Sequence, residues 1–99
     1  MCKYYKKYKL PFTQLYLIKW FPNKITPIHS HNGYECNILV LSGKLKESVY
    51  NKTNKNGYYE IYSKTINKHQ SSHINDKIGE HIIENLLNSN SWTLHFYSK

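Results

Sequence analysis

The chain has 99 residues, which is enough for one modest hydrophobic core and leaves no room for a second. It carries 14 Lys and no Arg against six acidic residues, so its net charge is +8. Its two Trp, ten Tyr and three Phe exclude a disordered chain, because disordered segments are poor in aromatic residues. We therefore expect a single domain over residues 1–99.

The positive charge raises the question of an anionic partner, and nucleic acid is the first one to consider. However, Lys, Asn, Ile and Tyr are all frequent while Arg, Ala and Gly are scarce, which is typical of an AT-rich genome. Much of the charge then reflects coding bias. Nucleic acid is accordingly not the partner that we expect.

The sequence has neither a candidate membrane span nor a candidate signal peptide, and this bears on the expected compartment. No apolar run approaches the roughly 20 residues of a membrane span, and the first seven residues lack the apolar segment of a signal peptide. These features predict a cytoplasmic protein that does not cross a membrane. Cys2 and Cys36 could form at most one disulfide, and a reducing compartment disfavours it.

The first half of the chain is mostly extended. Residues 12–21 are rich in β-favouring types and precede the turn signal Pro22-Asn23, so they predict a strand. Residues 35–41 predict a second strand and residues 44–50 a third, with largely alternating polarity. The pair is interpreted as a hairpin about Gly43. Only the first ten residues or so could form a short helix.

The second half continues the pattern of short strands. The polar run 51–57 predicts a loop, and the aromatic segment 58–62 predicts the next strand. Further strands are expected at 64–67, 72–75, 80–85 and 91–97. No segment has a sustained helical apolar period, so the chain is predicted to be an all-β sandwich or barrel.

Histidines are the first candidates for chemistry. His29 and His31 alternate, so in an extended segment both rings point to one side. His81 and His95 lie in later predicted strands. Imidazole suits Zn, Cu, Fe and Ni, and three neutral His ligands leave positions open for water or substrate. Alone, the His29 and His31 pair more often marks a strand end at the surface than a metal site.

The residues around these histidines resemble the two motifs of the cupin barrels. The first motif is His29, His31, a position usually filled by Glu and here by Cys36, and then Gly43. The second motif ends in a His followed by Asn, which His81 and Asn85 match.

Cysteine at the Glu position narrows the resemblance to cysteine dioxygenase and its thiol dioxygenase relatives. The matching segments are 29–31, 43–48, 74–85 and 94–98, with Trp20 at the expected distance upstream. The likeness covers residues 12–98. It implies a small cupin barrel, a double-stranded β-helix or jelly roll, with little or no helix.

The resemblance also implies a reaction and a metal. His29, His31 and His81 would hold a mononuclear Fe(II), although a three-His site would accept Zn or Ni in a purified sample. The family adds both atoms of O2 to the sulfur of cysteine or another small thiol, which gives a sulfinic acid. The implied partners are therefore a small thiol and O2.

Three further roles are carried over from the family. Cys36 and Tyr97 would be joined by a thioether, and the Tyr97 hydroxyl would lie beside the metal to bind substrate or oxygen. His95 would hold that hydroxyl in place, with Thr93 supplying a neighbouring hydroxyl group. In the absence of the motif, Cys36 would be interpreted as a small buried hydrophobic residue.

Other polar residues have no assigned role. His69 and His73 lie in or beside a polar segment and are expected to be solvated. The acidic residues offer no obvious catalytic pair; they are Glu35, Glu47, Glu60, Asp76, Glu80 and Glu84.

One departure from the family concerns the substrate. Mammalian-type cysteine dioxygenases bind the substrate carboxylate with an Arg, and here only Lys3, Lys6 and Lys7 are available near that position. A Lys supplies charge but not the planar fork that matches a carboxylate.

Three functions therefore stay open. They are a minimal thiol dioxygenase, a cupin that binds metal or a small ligand without turnover, and a basic nucleic-acid module supported only by the net charge. Because small cupin barrels often pair, a homodimer is one expected state.

Overall fold

The computed structural model describes residues 3–31, 33–53, 55 and 57–98. Within these ranges all regular structure is β, as predicted, and no helix capable of crossing a membrane is found there. The strands are β1 (Tyr5–Lys9), β2 (Leu15–Trp20), β3 (Glu35–Ser42), β4 (Lys44–Lys52), β5 (Tyr58–Asn67), β6 (Ser71–Ile74), β7 (Glu80–Asn85) and β8 (Ser91–Ser98).

The strands form two antiparallel sheets. The larger sheet has the order β1-β2-β8-β3-β6 and the smaller one β5-β4-β7. Buried and more exposed side chains alternate along β3, β7 and β8, as the period of two of a strand predicts. The buried apolar core consists of Ile18, Trp20, Cys36, Ile38, Val40, Leu45, Val49, Ile66, Ile74 and Ile83.

The first ten residues, where a short helix was the one helical option, instead contain the edge strand β1 over Tyr5–Lys9. It pairs with β2 from Tyr5 opposite Trp20 to Lys9 opposite Tyr16. The ring centroids of Tyr5 and Trp20 lie 5.0 Å apart. Backbone pairing and this aromatic contact outweigh the weak local helix signal, since most secondary structure is stabilised by tertiary packing.

Two strand boundaries also differ from the prediction. β4 continues through Lys52 into the predicted loop, with a register shift between Val49 and Tyr50. β5 runs unbroken through the position where the prediction separated 58–62 from 64–67. Continuous pairing with β4 holds this polar stretch in the sheet.

The hairpin predicted about Gly43 is wrong. β3 pairs with β6 and β8, whereas β4 pairs with β5 and β7. Gly43 is therefore the corner at which the chain passes from the larger sheet to the smaller one. A register shift between Val40 and Ser42 precedes the corner, and Gly43 has a φ of 95°.

Asn85 and Ser91 hold the structure beside this corner. The fully buried Asn85 amide donates to the carbonyls of Trp20 (3.1 Å), Phe21 (3.1 Å) and Ser89 (3.0 Å). The Ser91 hydroxyl donates to Asn85 Oδ1 at 2.8 Å. Asn85 of the second motif is thus a structural residue that connects β7 to the end of β2 and the start of β8.

We expect Gly43→Ala to destabilise the fold by at least about 2 kcal/mol, because it combines left-handed strain with overpacking. An added Cβ would collide with Ser91, whose Cα would lie 2.9 Å away. Urea unfolding measures the loss. Gly33→Ala is the matched control, because Gly33 also has a positive φ of 83° but open space around it. It should cost about 1 kcal/mol. Equal losses in the two variants would contradict the role of the corner.

Candidate functional site

A cavity of about 350 Å³ lies between the two sheets. All six residues that the sequence singled out line it: His29, His31, Cys36, His81, His95 and Tyr97. The other lining residues are Tyr5, Lys7, Gln14, Tyr16, Ile18, Trp20, Ser30, Tyr34 and Ile83. Among the described residues that line the cavity there is one cation, Lys7, and no acidic side chain.

An isolated antiparallel bridge brings the first two histidines together. His29 N–H donates to the carbonyl of His81 at 3.1 Å, and His81 N–H donates to that of His29 at 3.0 Å. Residues directly opposite each other in such a bridge project their side chains to the same side. The bridge therefore places the loop histidine beside the β7 histidine.

Asp76 anchors the part of the loop that carries His31. Its carboxylate accepts hydrogen bonds from His31 N–H at 3.0 Å and Gly33 N–H at 2.7 Å. These bonds lower the pKa of the exposed Asp76. Asp76 is absent from the described cavity lining, so its contribution is to the shape of the loop.

Ring nitrogens converge in the cavity. His29 Nδ1 lies 3.0 Å from the Pro27 carbonyl oxygen, and His81 Nδ1 lies 2.8 Å from Glu47 Oε2. A carbonyl and an ionised carboxylate only accept, so both Nδ1 atoms are donors. In the neutral rings both Nε2 atoms then carry lone pairs, and these atoms are 2.9 Å apart. Two facing lone pairs repel unless a cation lies between them.

His31 completes the donor set. The ligand atoms of His29, His31 and His81 all lie within 4.8 Å of one another. Burial lowers the pKa of His31 to about 4 and also lowers that of His29, with a further lowering from the neighbouring His81. His31 Nδ1 is buried without a hydrogen-bond partner. Three imidazoles with converging nitrogens fit a divalent transition metal.

Cys36 and Tyr97 are cross-strand neighbours on β3 and β8. Burial raises the pKa of Cys36 to about 12, although a hydrogen bond from Tyr97 opposes this, and burial also raises the pKa of Tyr97. Both groups are therefore protonated at neutral pH. The structure thus brings the two predicted partners together on the cavity wall.

His95 lies between these two side chains. Its Nδ1 is 3.8 Å from Cys36 Sγ and 3.4 Å from the Tyr97 hydroxyl, and its Nε2 is buried without a partner. Burial lowers its pKa to about 3, so the ring is neutral. Trp20, whose ring centroid is 5.9 Å from that of His95, donates to Thr93 Oγ1 at 2.9 Å.

Glu47 is the functional candidate that the sequence analysis missed. It was grouped with acidic residues of no evident role, yet it is fully buried and contacts His81. A signal was available in the sequence. In β4 it occupies an alternate position between Leu45 and Val49, so an acid stands on the apolar inward face of a strand.

Of the three candidate lysines, Lys7 lines the cavity. Its Nζ lies 4.6 Å from the ring centroid of Tyr16 and 5.2 Å from that of Tyr97. Lys6 has its Nζ over the Tyr8 ring, on the opposite face of β1. Lys3 is exposed and is not among the lining residues.

The remaining histidines lie outside this cluster. His69 is exposed in a turn with a φ of 69°. His73 is exposed on β6, where its ring contacts Asn37 at 2.9 Å and Glu35 at 3.6 Å.

The amino-acid sequence matches a known protein family. Residues 11–99 match the family model described as cysteine dioxygenase type I. Cysteine dioxygenase type 1 of Rattus norvegicus is 31% identical over 87 residues, that of Homo sapiens 30% over 87, and that of Danio rerio 27% over 88. Each match covers 85% of this chain and 44% of the relative. The chain therefore spans less than half the length of these curated relatives.

Solved structures support the fold. The Drosophila melanogaster CENP-C cupin domain matches with a TM-score of 0.69 and 10% identity, covering 95% of this chain and 75% of that one. Oxalate oxidase in complex with the substrate analogue glycolate matches with a TM-score of 0.67 and 15% identity, covering 84% and 40%. At such identities the likeness concerns the fold alone, and the predicted small cupin barrel is confirmed.

The buried neutral His95 should make the metal-free protein less stable in acid. With a pKa of about 3 when folded and an ordinary value of 6.5, the folded state binds fewer protons than the unfolded state between these pH values. The free energy of unfolding therefore falls as the pH decreases through this window. His95→Gln should remove up to about 1.4 kcal/mol per pH unit from the slope.

Urea unfolding of chelator-treated protein at a series of pH values measures this slope. His69→Asn is the control, because it removes an exposed histidine and Asn tolerates the positive φ. It should leave the slope unchanged. A His95→Gln slope equal to that of the wild type would contradict the prediction.

Proposed function

Because the chain belongs to the cysteine dioxygenase type I family, we propose that it is a thiol dioxygenase that uses mononuclear non-haem Fe(II). The reaction is the addition of both atoms of O2 to the sulfur of cysteine or another small thiol. The thiol RSH and O2 give the sulfinic acid RSO2H, so sulfur loses four electrons and O2 gains them. The observation that carries this proposal is the convergence of ring nitrogens of His29, His31 and His81 within 4.8 Å of one another.

His29, His31 and His81 are the proposed ligands. The chemistry that a bound Fe(II) supplies is a set of open positions for a thiolate and O2, together with the electrons needed to activate O2. The three rings contribute no charge, so the cation remains attractive to an anionic thiolate. The low pKa of His31 keeps that ring neutral, and thus able to bind metal, in mild acid.

Tyr97, Cys36 and His95 are proposed to form the wall beside the reacting sulfur. The Tyr97 hydroxyl is the group available to donate a hydrogen bond to a bound substrate, and His95 Nδ1 at 3.4 Å positions it. Cys36 and Tyr97 are proposed to form the family thioether. A bond then joins Sγ to a ring carbon of Tyr97, and two hydrogen atoms with their electrons pass to O2.

Lys7 is proposed to replace the carboxylate-binding Arg of the family. It is the cation of the described cavity lining, and its ammonium group lies against the faces of Tyr16 and Tyr97. An ammonium group is a point charge without the planar fork of a guanidinium. It should therefore accept the acidic end of a thiol substrate with less geometric selectivity.

The proposal includes a location and an assembly. Ferrous iron suits a reducing compartment, so we propose that the protein is cytoplasmic. Leu39 and Phe96 are exposed on neighbouring strands, where they could pair two copies as a homodimer.

A metal-binding cupin without turnover is the second candidate. It is favoured by the lack of Arg in this chain, because the family binds the substrate carboxylate with an Arg. Both candidates require the same three histidines, so metal binding alone does not separate them. Oxygen consumption does.

Iron-loaded protein should consume O2 in the presence of cysteine or another small thiol and form the corresponding sulfinic acid. His81→Ala should abolish this consumption, because it removes one of three ligands. An oxygen electrode measures the rate, and mass spectrometry of the thiol identifies the product. His73→Ala is the control, because His73 lies outside the cavity lining.

The same sample tests the thioether. Intact-mass analysis after turnover should show the loss of two hydrogen atoms, and Cys36→Ser should show none. If the iron-loaded wild type consumes O2 no faster than His81→Ala with any thiol of a panel, the dioxygenase proposal is refuted. The metal-binding cupin without turnover then remains.

Lys7→Met should raise KM for cysteine by about 10- to 100-fold, since a hydrogen bond to a charged group contributes about 1.5–3 kcal/mol. KM for an uncharged thiol such as 2-mercaptoethanol should change little. Lys6→Met is the matched control on the opposite face of β1. An equal rise for both thiols would contradict charge recognition by Lys7.

A further inference from the structure

We propose that Glu47 is a positioning residue that fixes the tautomer and orientation of His81, so that Nε2 of this ring is presented to the metal. The inference rests on the metal site of the proposed function and does not require dioxygenase activity. It concerns a side chain behind the proposed ligands, outside the described lining of the cavity.

Glu47 reaches His81 from within the smaller sheet. β4 pairs with β7 such that Val49 is opposite His81 and Glu47 is opposite Ile83. The inward side chains of Glu47 and His81 are therefore diagonal neighbours on one face. The carboxylate is fully buried, and its Oε2 lies 2.8 Å from His81 Nδ1.

A second bond ties the same carboxylate to the larger sheet. The hydroxyl of Ser72 on β6 donates to Glu47 Oε1 at 2.6 Å, and Ser72 is itself buried. Lys64 Nζ, partly exposed on β5, lies 3.9 Å from the same oxygen. Each carboxylate oxygen thus has its own partners, and Oε2 faces His81.

The carboxylate is ionised despite its burial. The hydrogen bonds from His81 and Ser72 and the nearby ammonium group of Lys64 all stabilise its negative charge. An ionised carboxylate has acceptor sites only. The proton of a neutral His81 ring is therefore held on Nδ1, and the lone pair is left on Nε2.

This arrangement has a consequence for the charge of the site. Three neutral rings alone would leave a bound divalent cation without a nearby counter-charge in the protein. Glu47 supplies one negative charge behind His81, so it stabilises both the ligand orientation and the bound cation. Such outer carboxylates typically contribute 10- to 100-fold to metal affinity.

The first experiment is NMR of the metal-free protein with ¹⁵N-labelled histidine, with the His81 signals assigned by their loss in His81→Ala. Wild-type His81 should carry its proton on Nδ1. In Glu47→Gln the amide can donate to Nδ1, so the Nε2-protonated tautomer should appear. A wild-type His81 ring that carries its proton on Nε2 and none on Nδ1 would overturn the proposal without reference to any variant.

The second experiment is Zn²⁺ affinity by chelator competition, which requires neither iron nor a thiol. Glu47→Gln should bind Zn²⁺ about 10- to 100-fold more weakly than the wild type. Glu60→Gln is the matched control, because it makes the same charge change at an exposed site on the smaller sheet. It should retain wild-type affinity.

Ser72→Ala extends the test to a variant that keeps the carboxylate charge. It removes one hydrogen bond, so the loss of Zn²⁺ affinity should be smaller than in Glu47→Gln, and the His81 tautomer should remain. A folded Glu47→Gln that binds Zn²⁺ within about threefold of the wild type would refute the proposal. If the wild type binds Zn²⁺ tightly but its iron-loaded form consumes no O2 with any thiol, the dioxygenase proposal is refuted. The role of Glu47 is then unaffected.

Discussion

The short backbone bridge between His29 and His81 is the contact on which the rest of the site depends. Two reciprocal hydrogen bonds, 3.1 and 3.0 Å long, join an irregular loop to β7. Loops vary more than the strands they connect, yet here a loop must place a ring within 2.9 Å of another. The bridge fixes the backbone of the loop at His29 as firmly as in a strand. The hydrogen bond from His31 N–H to the Asp76 carboxylate fixes the loop at the next ligand.

Much of the fold and of the site could be predicted because their patterns are local. Strands such as 80–85 and 91–97 alternate in polarity, and the structure has them within one residue of the predicted bounds. His29 and His31 point to one cavity because a period of two requires it. The likeness to cupins then identified His81, which no local rule connects to the other two.

What could not be predicted depends on partners distant in the chain. β1 is a strand because Trp20 and the β2 edge are available to it. Gly43 looked like a hairpin turn because a corner between sheets and a turn within one sheet use the same residue types. Glu47 was overlooked because its role requires His81 and Ser72, which lie 34 and 25 residues away.

Lys7, which would select the ligand, lies on an edge strand, apart from the histidines that would bind the metal. β1 pairs with β2 alone, whereas the β-strands that carry Cys36, Glu47 and Tyr97 are each paired on both sides. Edge segments open locally at lower free energy than central strands. Fraying of β1 would withdraw the Lys7 ammonium group from the cavity lining, whereas the bridge that joins His29 to His81 does not involve β1. Choice of ligand can therefore vary while the metal site is retained, because the residue that would select the ligand lies on an edge strand of the larger sheet.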